Sequence, residues 1–185
     1  MESRTAKHST PRAPRRTAGF TLVELMITIL LAAILMGIGI PMMRDMVGNN
    51  RLSSQTNEIV AAVTLARSTA INLNQAVTFC RANTEAATTC SGSTADWAFW
   101  LVRNGAGNVV RRGALPSATL LRMTSTLNID QIVFASDGLA RTANVLVTGG
   151  PQITICSKHS TTNNKRQITL GAGSRISTDK DSGAC

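Results

Sequence analysis

The feature that most constrains the fold is an apolar run near the N-terminus, from Phe20 to Met43, in which Glu24 is the only charged residue. A helix rises about 1.5 Å per residue, so this run would form a helix about 36 Å long. That length exceeds the hydrocarbon core of a bilayer, which is roughly 30 Å thick. The run therefore predicts a transmembrane helix over residues 20–43, and it raises the question of why a carboxylate lies within it.

The residues before the run are basic and set the expected orientation. Against the single acidic residue Glu2 there are five basic residues: Arg4, Lys7, Arg12, Arg15 and Arg16. By the positive-inside bias, this flank predicts a cytoplasmic N-terminus. No second apolar run of comparable length follows, so residues 44–185 are expected on the periplasmic side of a bacterial inner membrane.

Two ordinary interpretations of the run leave Glu24 unexplained. A secretory signal peptide has a basic segment, an apolar segment and a cut after small residues, here after Gly39, but its apolar segment should carry no charge. A plain membrane anchor gives no reason for a carboxylate either. On insertion scales a charge costs about 2.5–3.5 kcal/mol at a helix centre, and less near an end.

Residues 19–25, with the sequence GFTLVEL, resemble the class III signal of type IV pilins and pseudopilins. The resemblance implies that a prepilin peptidase removes residues 1–19 as a leader, cutting between Gly19 and Phe20, and methylates the new N-terminus. The apolar helix would then remain as the filament core. Glu24 would take the fifth mature position, whose glutamate is thought to pair with the N-terminal amine of a neighbouring subunit. A buried carboxylate becomes tolerable once a cation faces it.

The helical pattern continues beyond the apolar run to about Asn74. Apolar residues recur at three-, four- and seven-residue steps with charged residues between them: Leu52, Ile59, Val63, Ala66, Ala70 and Ile71. Residues 44–74 are therefore predicted to be an amphipathic continuation of the helix, whose apolar stripe packs under a soluble domain.

Residues 75–185 change to short β-prone runs separated by turn residues, which predicts a β-rich globular domain. The predicted strands cover residues 76–81, 97–103, 109–115, 120–124, 131–135, 144–147, 152–157 and 166–170, the last being the final strand. The polar stretch 158–165 is predicted to be a turn. One N-terminal helix followed by regular strands indicates an α+β fold.

Four cysteines lie beyond the apolar run, and an even count in an exported domain favours two disulfides. Of the three pairings that four cysteines allow, we favour Cys80–Cys90 and Cys156–Cys185. The first would close a short loop, and the second would pin the C-terminal tail.

Enzyme chemistry is not expected. The chain has no HExxH, GxSxG, P-loop or dinucleotide-binding glycine motif. It has no CxxC pair, and its only histidines are His8 and His159, so a zinc site is not expected. His159 lies in a polar stretch and is predicted to be an exposed loop residue. We therefore expect no catalytic residue, no metal and no cofactor.

Three parts of the second half resemble the domain of the minor pilins and pseudopilins called GspH/FimT. They are residues 77–80 with Cys90 and 97–102, residues 132–138, and residues 153–156 with 166–170 and the glycine-rich turn that follows. The resemblance implies a type IV pilin-like α+β fold. In it a long helix, membrane-spanning in its first half, packs on a domain of two small antiparallel sheets. Minor pilins of this kind help to start or cap filaments, and their type II secretion relatives do the same for a pseudopilus.

Some members of this family bind DNA during natural transformation, and the charge distribution makes DNA a candidate partner. Residues 101–185 hold ten basic against four acidic residues. The candidate phosphate contacts are Lys158, Lys165, Arg166, Arg175 and Lys180. DNA-binding members carry a GRxR-like motif, whereas residues 171–176 read GAGSRI here, with one arginine instead of two. The alternative is a solvated basic surface that keeps sheet edges apart.

The sequence therefore predicts a minor type IV pilin that takes part in pilus assembly and is anchored in the inner membrane before it enters the filament. The alternatives are a DNA-binding minor pilin for DNA uptake and a GspH-like minor pseudopilin of type II secretion. The expected partners are other pilin or pseudopilin subunits, the prepilin peptidase, the inner membrane and, in the DNA-uptake alternative, DNA.

Overall fold

The computed structural model describes residues 19–115, 120–158 and 162–185, without the side chains at 38–42, 44–45 and 151–152. The expected leader, apart from Gly19, and the loop histidine His159 lie outside the described residues. The chain divides between Pro41 and Met42 into two units.

A single helix, α1 (Leu22–Leu73), contains both the apolar run and its amphipathic continuation. In the first unit the large apolar side chains that the structure describes are exposed, from Leu31 at 53% to Phe20, just before the helix, at 84%. Within the described part of the chain, no helix combines the length and the hydropathy that a membrane span requires. Within the predicted span, the structure does not describe the side chains of residues 38–42.

The second half of α1 buries the predicted stripe. Five of its six residues are fully buried: Leu52, Ile59, Val63, Ala66 and Ala70. The sixth prediction, Ile71, was wrong, because this side chain is half exposed. It follows Ala70 by one residue, which places it about 100° further around the helix. There it lies against the turn at Gly138, where a Cβ would come within 2.8 Å of the Ile71 Cδ1 atom.

In the part of the chain that the structure describes, ten strands follow the helix. They are β1 (Val77–Ala82), β2 (Phe99–Asn104), β3 (Val109–Ala114), β4 (Leu121–Ser125), β5 (Gln131–Phe134), β6 (Ala140–Thr142), β7 (Val145–Leu146), β8 (Pro151–Ser157), β9 (Lys165–Leu170) and β10 (Ile176–Asp181). Two 3-10 turns, Asn128–Asp130 and Ala172–Ser174, lie before β5 and after β9.

The strands form two antiparallel sheets. A six-stranded sheet has the order β3-β2-β1-β5-β6-β7, and a four-stranded sheet has the order β10-β9-β8-β4. One face of each central strand carries buried apolar side chains at every second residue, which is the period of a half-buried strand. On β1, β5, β8 and β9 these are Val77, Phe79, Ile132, Phe134, Ile153, Ile155, Ile168 and Leu170. They join the stripe of α1 in one hydrophobic core, so the fold is α+β as predicted.

The strand predictions were incomplete at two places. Residues 166–170 are not the last strand, because β10 follows and pairs with β9 along its whole length. The predicted strand at 144–147 is only the second arm of a hairpin formed by β6 and β7. Ala143 and Asn144 make its turn with φ values of 47° and 65°.

Candidate functional site

The N-terminal segment is built around the start of α1. Gly19 and Phe20 are exposed, and Thr21 precedes the first helical residue. The Thr21 hydroxyl accepts a hydrogen bond from the Glu24 backbone N–H at 3.2 Å. This is the helix-capping half of the Thr-x-x-Glu capping box, in which an N-cap hydroxyl satisfies one free N–H of the first turn.

Glu24 therefore lies in the first turn of α1, where the positive end of the helix dipole favours a carboxylate. Its side chain is exposed, and among the described residues no cation pairs with it. The apolar side chains around it are exposed as well. This arrangement leaves both the carboxylate and its apolar surroundings free to contact another molecule.

Both cysteine pairs that we favoured are disulfide-bonded, with Cα atoms 5.6 Å apart for Cys80–Cys90 and 5.9 Å apart for Cys156–Cys185. The first loop folds over the outer face of the six-stranded sheet and covers a second small core that includes Leu101. The second disulfide holds the tail.

Polar contacts fix the same tail. The Arg122 guanidinium donates to the Cys185 carbonyl at 2.6 Å. The Asn164 side chain exchanges two hydrogen bonds with the backbone of Gly183. The end of the described chain is thus bound both covalently and by hydrogen bonds.

The structure does not bring the five candidate DNA-contacting residues to one site. Lys165 lies at one end of the β9–β10 hairpin, opposite Asp181, and Lys180 lies opposite Arg166. Arg166 is buried, and its guanidinium donates to two backbone carbonyls, those of Asn163 and Lys165. Because acidic residues flank Lys180 on its own strand, this end of the hairpin is less basic than the sequence count indicates.

Lys158 follows β8 at the same end of the four-stranded sheet and is exposed, whereas Arg175 lies at the opposite end. The five residue steps of β9 separate the two ends by about 17 Å, at about 3.4 Å per residue. Arg175 is exposed just after a turn that α1 holds in place. The Arg67 guanidinium donates to the carbonyls of Ser174 and Gly173, at 3.0 and 3.2 Å.

Other arginines of the second half are engaged by acidic partners. Arg122 pairs with Asp96 at 2.8 Å, which raises the pKa of the guanidinium. Arg141 pairs with Asp137 at 2.7 Å, and its hydrogen bond lowers the pKa of that carboxyl to about 2. These two ion pairs neutralise Arg122 and Arg141, so neither adds to the positive charge that could attract a polyanion.

Comparisons with known proteins identify the family. The family model "Type II transport protein GspH" matches residues 55–174, and the "Prokaryotic N-terminal methylation motif" matches residues 14–40. The chain belongs to the GspH family. No curated protein matches this GspH-family chain significantly.

Two solved structures share the fold of this GspH-family protein. Both are crystal structures of the type IV minor pilin FimU of Pseudomonas aeruginosa strain PAO1. The form in space group P21 is 19% identical over 70% of this chain and 89% of FimU, with a TM-score of 0.52. The form in space group P65 is 17% identical over 69% of this chain and 92% of FimU, with a TM-score of 0.50. The protein is therefore minor pilin- or pseudopilin-like, and its family and structural neighbours are structural proteins of that kind.

Three structural roles in this GspH-family protein were not predicted from the sequence. Thr21 could have been found, because Thr-x-x-Glu before an apolar run is a helix-start signal. Arg67 carried no such signal, since its acceptors lie more than 100 residues away in the chain. The buried ion pair between Arg81 and Asp130, with Nε and Oδ2 3.2 Å apart, also carried no signal, because it depends on how β1 meets the distant 3-10 turn before β5.

Proposed function

We propose that this protein is a minor type IV pilin that is cleaved between Gly19 and Phe20, is held in the inner membrane by residues 20–43, and enters a pilus through α1. One observation carries the proposal. The first unit exposes apolar side chains on every side of the helix, together with a carboxylate that no described residue neutralises. Such a surface suits a membrane first and a bundle of like helices afterwards.

The match to the N-terminal methylation motif supports the same processing, because it spans residues 14–40 and so includes the proposed cleavage site. In this proposal Glu24 pairs with the N-terminal amine of a neighbouring subunit. The first-turn position of Glu24 is compatible with this role. It keeps the carboxylate at the N-terminal end of the helix, where the N-terminal amine of a neighbouring subunit would have to approach it.

Mass spectrometry of the mature N-terminus tests the cleavage. We expect a chain that begins with N-methylated Phe20. A chain that begins near Ile40 instead would mean ordinary signal peptidase and would refute the proposal. Gly19→Leu should block the cleavage while leaving membrane association intact, since it changes only the residue before the cut.

Glu24→Gln tests the assembly role separately. It keeps the size of the side chain and the Thr21 cap but removes the charge, so the chain should be processed normally and be lost from sheared filaments. Thr21→Val is the matched control, because it removes the cap and leaves the charge. Normal incorporation of the Glu24→Gln chain would contradict the pairing.

A pseudopilin of type II secretion is the second candidate, and the description of the matching family model favours it. Deletion of the gene separates the two functions. Loss of surface filaments with normal protein secretion supports the pilus, and the opposite result supports the pseudopilus.

DNA binding at the filament is a third candidate, and the exposed, helix-held position of Arg175 favours it. Gel shifts of the full chain at several salt concentrations test it, because phosphate contacts weaken as salt rises. Arg175→Gln should weaken the shift more than Arg166→Gln, whose guanidinium is already engaged by carbonyls. Equal effects would argue against a specific role for Arg175.

A further inference from the structure

A pocket of about 300 Å³ lies on the outer face of the six-stranded sheet, between the turn after β2 and the loop that the Cys80–Cys90 disulfide closes. Thr78 and Arg103 are register partners on β1 and β2, and Gln131 on β5 pairs with Cys80. Side chains alternate along a strand, so Thr78 and Cys80 share a face opposite the buried Phe79. The pocket is therefore separate from the core and from the β9–β10 hairpin.

The polar groups that line the pocket are rich in hydrogen-bond donors. They are the Arg103 guanidinium, the amides of Asn104 and Gln131, and the hydroxyls of Thr78 and Thr89. Among the described residues none of these groups donates a hydrogen bond to the protein, and Arg103 has no acidic partner. Of the described residues that line the pocket, none carries a carboxylate. A cation among neutral donors attracts an anion, because no lining carboxylate offsets its charge.

The turn after β2 orients one of these donors and leaves room for a second. The Asn104 Oδ1 atom accepts the Asn108 backbone N–H at 2.8 Å, which leaves the Asn104 Nδ2 group to donate. Two backbone hydrogen bonds close the same turn, from Asn104 to Asn108 and from Gly107 to Asn104. Gly107 has φ +88°, and a Cβ there would lie 3.2 Å from the Arg103 Nη2 atom, so a glycine leaves room for the guanidinium.

The opposite wall is held by the disulfide. Cys90 lines the pocket next to Thr89, and its bond to Cys80 ties this wall to the central strand β1. Arg112 adds a second tether, since its Nε atom donates to the Ala87 carbonyl at 3.0 Å. The pocket is therefore formed by fixed elements on both sides.

We propose that this pocket binds the phosphate group of a small solute, with Arg103 as its main contact. An arginine fork can hold two oxygens of a phosphate or of a carboxylate. The remaining donors come from β1, β5, the β2 turn and the disulfide loop, and so surround the pocket on several sides. A tetrahedral group directs its oxygens several ways and can use such donors, whereas a planar carboxylate offers only two oxygens. The volume admits a phosphate and part of a group attached to it.

Isothermal titration of the purified full chain in detergent with inorganic phosphate tests this site. We expect saturable binding of one phosphate per chain. Arg103→Gln should weaken it at least tenfold, because the variant removes a charge-assisted contact. Arg51→Gln is the matched control. It removes the same charge from an exposed position on α1, outside the pocket, and should leave the affinity unchanged.

Two further ligands define the chemistry. Tighter binding of glycerol phosphate than of inorganic phosphate would identify an esterified phosphate as the occupant, and the reverse order would identify free phosphate. Binding of acetate as tightly as phosphate would overturn the tetrahedral assignment. An equal loss of affinity in the two arginine variants would overturn the site itself. Absence of binding at phosphate concentrations up to about 10 mM would overturn it as well.

Thr78→Val provides a second variant whose folding is not in question, since it keeps the shape of a β-branched residue on β1. It should weaken phosphate binding about threefold by removing one neutral donor. Unchanged affinity in this variant would show that the pocket wall on β1 does not contact the ligand and would contradict the proposed geometry.

Discussion

Removal of the Asp130 carboxylate should be among the most damaging single changes in the second unit. Asp130 is 1% exposed, and its Oδ2 atom lies 3.2 Å from the Nε atom of Arg81, whose side chain is 9% exposed. The same oxygen accepts the Ala95 backbone N–H at 2.9 Å, and the other oxygen accepts the Ser125 hydroxyl. One buried carboxylate therefore satisfies a cation and two further donors, one from the loop before β2 and one from the end of β4.

Asp130→Ala leaves the Arg81 charge buried without its counter-ion. Breaking a buried pair in this way typically costs about 3–5 kcal/mol. Arg81 keeps hydrogen bonds to Ser93 and Asn83, which partly solvate the guanidinium. We therefore expect a loss at the lower end, about 3 kcal/mol. Since a domain is usually stable by about 5–15 kcal/mol, this loss is a large share of the total.

Urea unfolding of the full chain in detergent, followed by tryptophan fluorescence, measures this loss. Trp97 and Trp100 are the only tryptophans, and both are 1% exposed in the core of the second unit. Asp137→Ala is the matched control, because it breaks an exposed pair with Arg141 and should shift the urea midpoint only slightly.

Equal shifts in the two aspartate variants would refute the reasoning that burial makes the Arg81–Asp130 pair critical. The double variant Arg81→Met, Asp130→Leu should recover much of the lost stability, since it removes both charges together. A double variant as unstable as Asp130→Ala would show that the damage comes from shape and not from an uncompensated charge.

Three further changes have clear expected outcomes. Gly113→Ala should destabilise the chain by about 1–3 kcal/mol in the same urea assay, because the new Cβ would overlap the Trp100 ring; an unchanged midpoint would contradict this. The Asp137 carboxyl should titrate near pH 2 by NMR, and Arg141→Gln should return it towards the ordinary value of 3.8. Its pKa is lowered on folding, so the stability it contributes is present above pH 3.8 and is lost as the pH falls towards 2. Ser174→Ala should cost about 1–3 kcal/mol, because a buried backbone N–H of β6 donates to its hydroxyl at 2.6 Å; hydrogen exchange at that amide should rise.

The parts of the fold that the sequence predicted correctly are those with strong periodicity. The stripe from Leu52 to Ala70 repeats at helical spacing, and strands such as β5 and β9 alternate buried and half-buried residues. β10 was missed because its sequence, ISTDKD, has no apolar alternation. It is an edge strand, half-buried or exposed throughout, and β9 supplies the pairing that makes it a strand.

The β6–β7 hairpin was missed for a different reason. Its turn residues, Ala143 and Asn144, both have positive φ, and alanine is not a residue that indicates such a conformation. The 3-10 turn before β5 presents the same difficulty, since Ile129 has φ 47°. Tertiary contacts impose these conformations, and a local pattern does not encode them.

The candidate site was predictable only in part. Residues 19–25 form a contiguous motif, so the sequence alone indicated the roles proposed for Gly19 and Glu24. The basic cluster, in contrast, was inferred from charge count. Counting could not reveal that Arg166 is buried or that Lys165 faces Asp181, because both facts depend on strand register.

The contact of Arg67 with the turn that precedes Arg175 has a mechanical consequence. Its guanidinium binds two carbonyls of that turn, so a load applied at Arg175 would reach α1 within a few covalent bonds and two hydrogen bonds. The same corner also continues directly into β10, which begins at Ile176. Tension there would thus be shared between the helix and the four-stranded sheet.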